Sequence, residues 1–224
     1  MAYKPKPHHD CAMPAQHPLR VLVLNASLKK SPNPSNTEEL ARLVLEAMAS
    51  DSKIHSEVVR LADKRIPVGL GFKESDDDEW PDLVAKIKAA DIVIFATPVW
   101  WGQRSSLMQR VIERLDSLDE EYIASGRSAL YNKVAGVVIT GTEDGAQQVL
   151  ASIMEVLTFM CFTLPPECCA YWVGEVGKPV KDEAASRRAN PASKHMAQNM
   201  ARNLVFYAQL LKQHPLVVEA APAS

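Results

Sequence analysis

Residues 20–44, "RVLVLNASLKKSPNPSNTEELARLV", decide how this chain folds. They open with "RVLVLNAS", an unbroken aliphatic run of the kind found in strands buried on both faces. "LKKSPNPSNT" follows, dense in turn formers. Leu40, Leu43, Val44, Ala47 and Met48 then recur at helical spacing, and Ser35 with Glu38, or Asn36 with Glu39, supplies a capping signal. A strand buried on both faces needs cover on both sides. Strand, loop and helix in that order are the unit from which parallel sheets are built.

The unit repeats along the chain. "KIHSEVVRL" (53–61), "DIVIFA" (91–96), "KVAGVVIT" (133–140) and "CCAYWVG" (168–174) read as further strands. "WPDLVAKIKAA" (80–90) reads as a short helix. Leu107, Met108, Val111, Ile112 and Leu115 mark another, starting near Ser105 or Ser106. An apolar helix is expected from Gly145 to about Cys161, and a last one over roughly 192–212. Residues 62–79, with "ESDDDE", read as a long loop ending in a solvated acidic helix entry. Five strands alternating with helices predict a three-layer α/β/α sandwich around a five-stranded parallel sheet. The boundaries expected are a flexible arm over 1–18, one domain over 19–214 and a tail over 215–224.

Composition narrows the function classes. With 224 residues the chain suits one large domain. A formal net charge of -2 gives no global field for nucleic acid or an acidic membrane surface. The apolar runs are too short to span a bilayer. The Pro-, His- and Lys-rich start has no apolar core and does not read as a secretory signal. Its histidines read as part of a solvated tail rather than a metal site. The four cysteines, Cys11, Cys161, Cys168 and Cys169, form no C-x-x-C, and the adjacent pair suits a disulfide poorly. Apolar neighbours imply that the last three are buried thiols, so a reduced, cytoplasmic protein is expected.

In open α/β sheets ligands bind at the carboxyl ends of the strands, near the topological switch point. Three loops lie there. The first, after Asn25, has neither G-x-G-x-x-G nor a Walker pattern. It gathers Ser27, Ser35, Asn36 and Thr37 about a helix N-terminus, where hydroxyls, amides and free N–H groups suit a phosphate, with Lys29 and Lys30 nearby. The same residues would serve equally as a plain helix cap.

The second loop, "TPVWWGQRSS", sets Pro98, Val99, Trp100, Trp101 and Gly102 just past the third strand. Pro98 would stiffen the strand exit and Gly102 permit a tight turn. Trp100 is assigned to the face of a planar ring, and Trp101 to supporting the turn or a subunit contact. The third loop, "TGTEDG", has Thr140, Gly141, Thr142, Asp144 and Gly145. Its backbone can approach a ligand edge; the alternative is a plain strand–helix turn capped by Asp144. Phosphate pocket, aromatic wall and backbone clamp together describe a site for a mononucleotide with a large planar ring.

On these residues the chain resembles the NAD(P)H-dependent FMN reductase family of flavodoxin-like fold. "NASLKKSPNPSNT" is similar to the family's G-S-x-R-x-x-S-N-T phosphate loop. "PVWWGQRSSLMQRVIER" is similar to its P-x-Y-W-G-x-x-S segment with L-K-x-x-I-D-R, and "TGTEDG" to its T-G-G loop. The resemblance covers about residues 20–212, with Trp100 in place of Tyr, Gln109 in place of Lys and Glu113 in place of Asp. The compact cysteine cluster of the family's iron–sulfur branch is not in the sequence.

The resemblance implies strand order 2-1-3-4-5, FMN as cofactor and NAD(P)H as co-substrate. It implies a small-molecule electron acceptor: a quinone, flavin, nitro or azo compound, or metal ion. No catalytic side chain is called for, because the cofactor carries the chemistry. One planar pocket implies that nicotinamide and acceptor take turns, a ping-pong scheme. An electron carrier docking a protein partner is the alternative. Apolar residues on more than one face of the helices after Ser105 and Gly145 predict a homodimer or homotetramer.

Overall fold

The computed structural model describes residues 17–142, 144–173 and 190–217. Most of the expected arm, Glu143 of the third loop and most of the expected tail lie outside them. The strands are β1 (Leu19–Asn25), β2 (Ile54–Arg60), β3 (Ile92–Trp100), β4 (Gln103–Arg104), β5 (Val134–Gly141) and β6 (Cys169–Val173). The helices are α1 (Asn36–Asp51), α2 (Trp80–Ala89), α3 (Ser106–Leu115), α4 (Asp119–Ser125), α5 (Ala146–Phe159) and α6 (Pro191–Gln213).

Five strands run parallel in the order β2-β1-β3-β5-β6, and β4 folds back antiparallel on the end of β3. Numbered without β4, this is the expected flavodoxin-like order. Alternation along each strand divides the core into two. Leu22, Leu24, Val93 and Phe95 face the α2–α3–α5 layer, with Trp80, Val111 and Ile153. Val21, Val23, Ile92 and Ile94 face the α1–α6 layer, with Leu40, Val44 and Leu204. Each large aliphatic side chain so buried contributes about 1.5–3 kcal/mol. Gly136 lets α6 lie close on β5: a Cβ there would stand 2.6 Å from Met200 Cε and 3.0 Å from the Cys168 carbonyl oxygen. Among the described residues no helix is long and apolar enough to cross a membrane.

Several details depart from the sequence reading. The acidic stretch is not simply a solvated helix entry. Asp78 is buried and paired with the fully buried Arg114 of α3, Nη2 to Oδ2 2.8 Å. Arg114 also donates to the carbonyls of Pro67 and Gly71 and lies over the Trp80 ring. Pro98 is not at the strand exit. β3 continues through it to Trp100, because pairing with β1 has ended at Asn25↔Ala96 while pairing with β5 runs on to Pro98↔Thr140.

Helix α4 and strand β4 were not anticipated. Most apolar residues of α3 are absorbed by the chain itself: Met108, Val111 and Leu115 are buried. Large exposed apolar residues stand at Phe159 of α5 and at Val68, Leu70 and Phe72 of the β2–α2 loop. Cys168 is buried, but Cys161 and Cys169 are only half-buried. The two described arm residues are tied to α6, since Gln209 Nε2 donates to the His17 carbonyl and Lys212 Nζ to that of Pro18.

Candidate functional site

The first loop is held by its own polar groups. Ser27 N donates to Asn25 Oδ1 at 3.0 Å, a local turn that lifts Ser27 over the end of β1. Asn25, fully buried, donates through Nδ2 to Ser35 Oγ and Glu38 Oε2. Arg60 of β2 donates to the Asn33 carbonyl (2.6 Å) and to Glu38 (2.5 Å), and Asp63 accepts from Ser31 N and Oγ. Burial would raise the Glu38 carboxyl, but Arg60 and Arg42 outweigh it and hold it below the usual range.

These contacts fix the N-terminus of α1. Ser35 is its N-cap and accepts from Glu38 N at 3.2 Å. That leaves the first-turn N–H groups of Asn36 and Thr37, which helix geometry cannot satisfy internally. Thr37 Oγ1 lies 2.8 Å from Thr140 Oγ1, so the first turn of α1 sits directly on the end of β5. If Thr140 donates in that pair, the Thr37 proton remains available to a ligand.

The two tryptophans belong to a β-hairpin. β3 and β4 pair through Val99↔Arg104 and Trp100↔Gln103, leaving Trp101 and Gly102 as a two-residue turn. Both have positive φ, 49° and 72°, as a type I′ turn requires. For a tryptophan this conformation costs on the order of 1–3 kcal/mol and persists only where its surroundings impose it. The turn lifts Trp100 to 50% and Trp101 to 87% exposure. Ser105 anchors the hairpin base: its Oγ donates to the Ala26 carbonyl at 2.8 Å, and it caps α3 by accepting from Met108 N.

The third loop closes on this hairpin. Gly145, at φ 118°, is the N-cap of α5 and offers no side-chain cap, so Asp144 does not cap that helix. Asp144 and Thr142 are exposed. Gly145 backs onto Gly102.

A cavity of about 370 Å³ lies between the three loops, within the roughly 300–1,000 Å³ usual for small-molecule and cofactor sites. The first loop and the start of α1 line it with Ser27, Lys29, Asn36 and Thr37, and the end of β3 with its turn lines it with Pro98, Val99, Trp100 and Trp101. Thr140, Gly141 and Thr142 border the side. Four other expected residues, Ser35, Gly102, Asp144 and Gly145, are not part of this lining: Ser35 is committed to the helix cap, and the glycines shape the turns. The structure adds Leu28 and Trp172. Trp172 had a signal, an indole at the carboxyl end of a strand, but its neighbours read only as strand. Arg104 of β4 is not part of the lining. It donates to Ser152 Oγ (2.7 Å) and Gln109 Oε1 (2.5 Å), and Gln109 donates on to Glu113.

The donor set fits FMN. Hydroxyls, two first-turn N–H groups and the Lys29 ammonium suit a phosphate dianion at one end, and indole faces suit an isoalloxazine at the other. Among the described residues lining the cavity, Lys29 alone is titratable.

The model of the family described as NADPH-dependent FMN reductase matches residues 19–176. A Streptomyces davaonensis protein, 8-demethyl-8-aminoriboflavin-5'-phosphate synthase, is 32% identical over 211 residues, covering 90% of this chain and 81% of that one. A Mycobacterium bovis protein named divalent metal cation transporter MntH is 32% identical over 200 residues; these are 87% of this chain but only 29% of that protein. The solved structure of RosB with bound 8-demethyl-8-formylriboflavin-5'-phosphate has a TM-score of 0.79 at 29% identity, over 88% of this chain and 82% of that one.

Proposed function

The chain belongs to the NADPH-dependent FMN reductase family, and from that premise we propose an enzyme that uses NADH or NADPH to reduce FMN held in this cavity. Its electrons then pass to a small acceptor: a quinone, free flavin, nitro or azo compound, or a metal ion. The observation that carries this reading is the pairing of a phosphate-type donor set at the N-terminus of α1 with exposed indoles on the β3–β4 hairpin, in one cavity. When bound, FMN supplies the capacity to take a hydride from a reduced nicotinamide and to give up electrons to a second molecule.

The chain's own residues do the rest. Ser27, Thr37 and the first-turn N–H groups hold and orient the phosphate, with Lys29 balancing its charge. Trp100 borders the ring, and the Thr140–Thr142 backbone lies along its edge. Trp101 stands at the cavity mouth, so a nicotinamide and an acceptor would use the same open side in turn, a ping-pong order. Arg104 is assigned no part in binding the nucleotide.

A second reading rests on the Streptomyces relative and the RosB structure, whose names describe flavin phosphates altered at C8. In it the flavin in the cavity is a substrate rather than a resident cofactor. Mass analysis of flavin extracted after aerobic incubation of the FMN-loaded protein with an amino-group donor separates the two: unchanged FMN, with steady NADPH oxidation in a parallel reaction containing a quinone, supports the reductase, and a flavin of altered mass supports the modifying enzyme. A carrier docking a protein partner would show no steady oxidation of NADPH. We propose further that the protein is cytoplasmic and works as a homodimer or homotetramer; Val68, Leu70 and Phe72 are apolar and exposed, as at subunit contacts.

A further inference from the structure

We propose that Trp172 is the residue that limits the site to a flavin with a single phosphate, FMN rather than FAD. The proposal rests on the reading of this cavity as a flavin site.

Trp172 stands one strand beyond the phosphate end. β6 alternates: Cys169, Tyr171 and Val173 pack with the α2–α3–α5 core, whereas Ala170 and Trp172 pack with the α1–α6 core. The indole is therefore on the same face of the sheet as α1. Register places Pro98, Thr140 and Trp172 side by side on β3, β5 and β6, about 4.8 Å apart from strand to strand. Thr140 is the residue whose hydroxyl meets Thr37 at 2.8 Å. A phosphate on the first turn of α1 lies over Thr140, and among the described residues the next cavity-lining residue toward the sheet edge is Trp172.

The hairpin indoles are elsewhere. Trp100 is two residues further along β3 than Pro98, roughly 6.7 Å at the usual strand rise, and on the far side of Thr140 from Trp172. The cavity thus has a ring end and an opposite end wall. FAD differs from FMN by an adenylate on the flavin phosphate, so its extra mass must leave from the phosphate end. Leu28 and Lys29 flank that end on the first-loop side, and Trp172 stops it on the β6 side. A bulky, half-buried side chain set against the larger ligand discriminates by obstruction.

The test is equilibrium titration of FMN, FAD and riboflavin against the wild type, Trp172→Ala and Trp172→Phe. The wild type should prefer FMN to FAD. Trp172→Ala should narrow that preference by at least about tenfold through tighter FAD binding, and Trp172→Phe, which keeps an aromatic wall, should largely preserve it. Riboflavin lacks the phosphate and should bind all three alike, which also shows that the variants are folded. Should Trp172→Ala not fold, Trp172→Leu keeps an apolar contact with the core, shortens the wall and carries the same expectation. An unchanged FMN-to-FAD ratio in the shortened variant overturns the proposal. So does a loss of FMN affinity in Trp172→Phe equal to that in Trp172→Ala, which would make the indole N–H a phosphate donor. A wild type that binds none of the three flavins would instead overturn the flavin reading itself.

Discussion

Gly145 stands so close to Gly102 that a Cβ on it would lie 2.6 Å from the Gly102 Cα. The contact is backbone against backbone, so no side chain can swing away to relieve it. Through it the turn that starts α5 supports the turn that presents Trp101. Replacing Gly145 by Ala adds this clash to the strain of φ 118°, which alone costs on the order of 1–3 kcal/mol. Gly145→Ala should lower the melting temperature and weaken flavin binding together, measured by thermal denaturation and by flavin titration. Weakened binding with unchanged stability would mean that the third loop touches the ligand without bracing the hairpin.

Arg114 and Asp78 form a buried pair that pins the β2–α2 loop to α3. Breaking such a pair from one side typically costs about 3–5 kcal/mol, because the remaining charge is left uncompensated. Arg114→Met should be destabilised by about that amount in urea denaturation at neutral pH. Burial raises the Asp78 carboxyl, but the Glu74 N–H, Arg114 and the Trp80 N–H outweigh it and leave it below the usual value. Its contribution is therefore complete above the unfolded carboxyl pKa, about 3.9, and is lost as pH falls through the lower folded value. The gap between wild type and Asp78→Asn should be widest at neutral pH and close in acid; a gap constant down to the acid limit would argue against an ionised Asp78.

Trp100 and Trp101 divide the aromatic work by position. Trp100 is half exposed at the end of the paired strand, and Trp101 is nearly fully exposed at the tip of the turn. If Trp100 lies along the flavin ring, protein fluorescence should fall on FMN binding, and Trp100→Ala should shift the flavin absorption bands. Trp101→Ala should shift them less. The reverse order would assign the ring to Trp101.

Much of this was readable from residues alone, and the failures have physical causes. The parallel sheet followed from aliphatic runs such as "RVLVLN", because a strand covered on both faces has little choice of composition, whereas the strand order came from the family resemblance. A cap at Ser35 or Asn36 followed from local chemistry, and the structure makes it Ser35. Asp78 was misread because its burial depends on Arg114, 36 residues away, and no local pattern in an acidic run marks the one carboxylate that turns inward. The β3–β4 hairpin was hidden by Pro98, which reads as a strand terminator unless it is known that β1 has already ended beside it. Trp172 was passed over because its role depends on register with Thr140, a relation between strands rather than within one.

The central claim, that this cavity holds an FMN reducible by a nicotinamide nucleotide, is tested most directly by the absorbance spectrum of the purified protein loaded with FMN, followed by anaerobic addition of NADPH and then of NADH. The account predicts bleaching of the flavin band near stoichiometric nucleotide, and its return when a quinone is admitted. A flavin band that neither nucleotide bleaches would contradict the account.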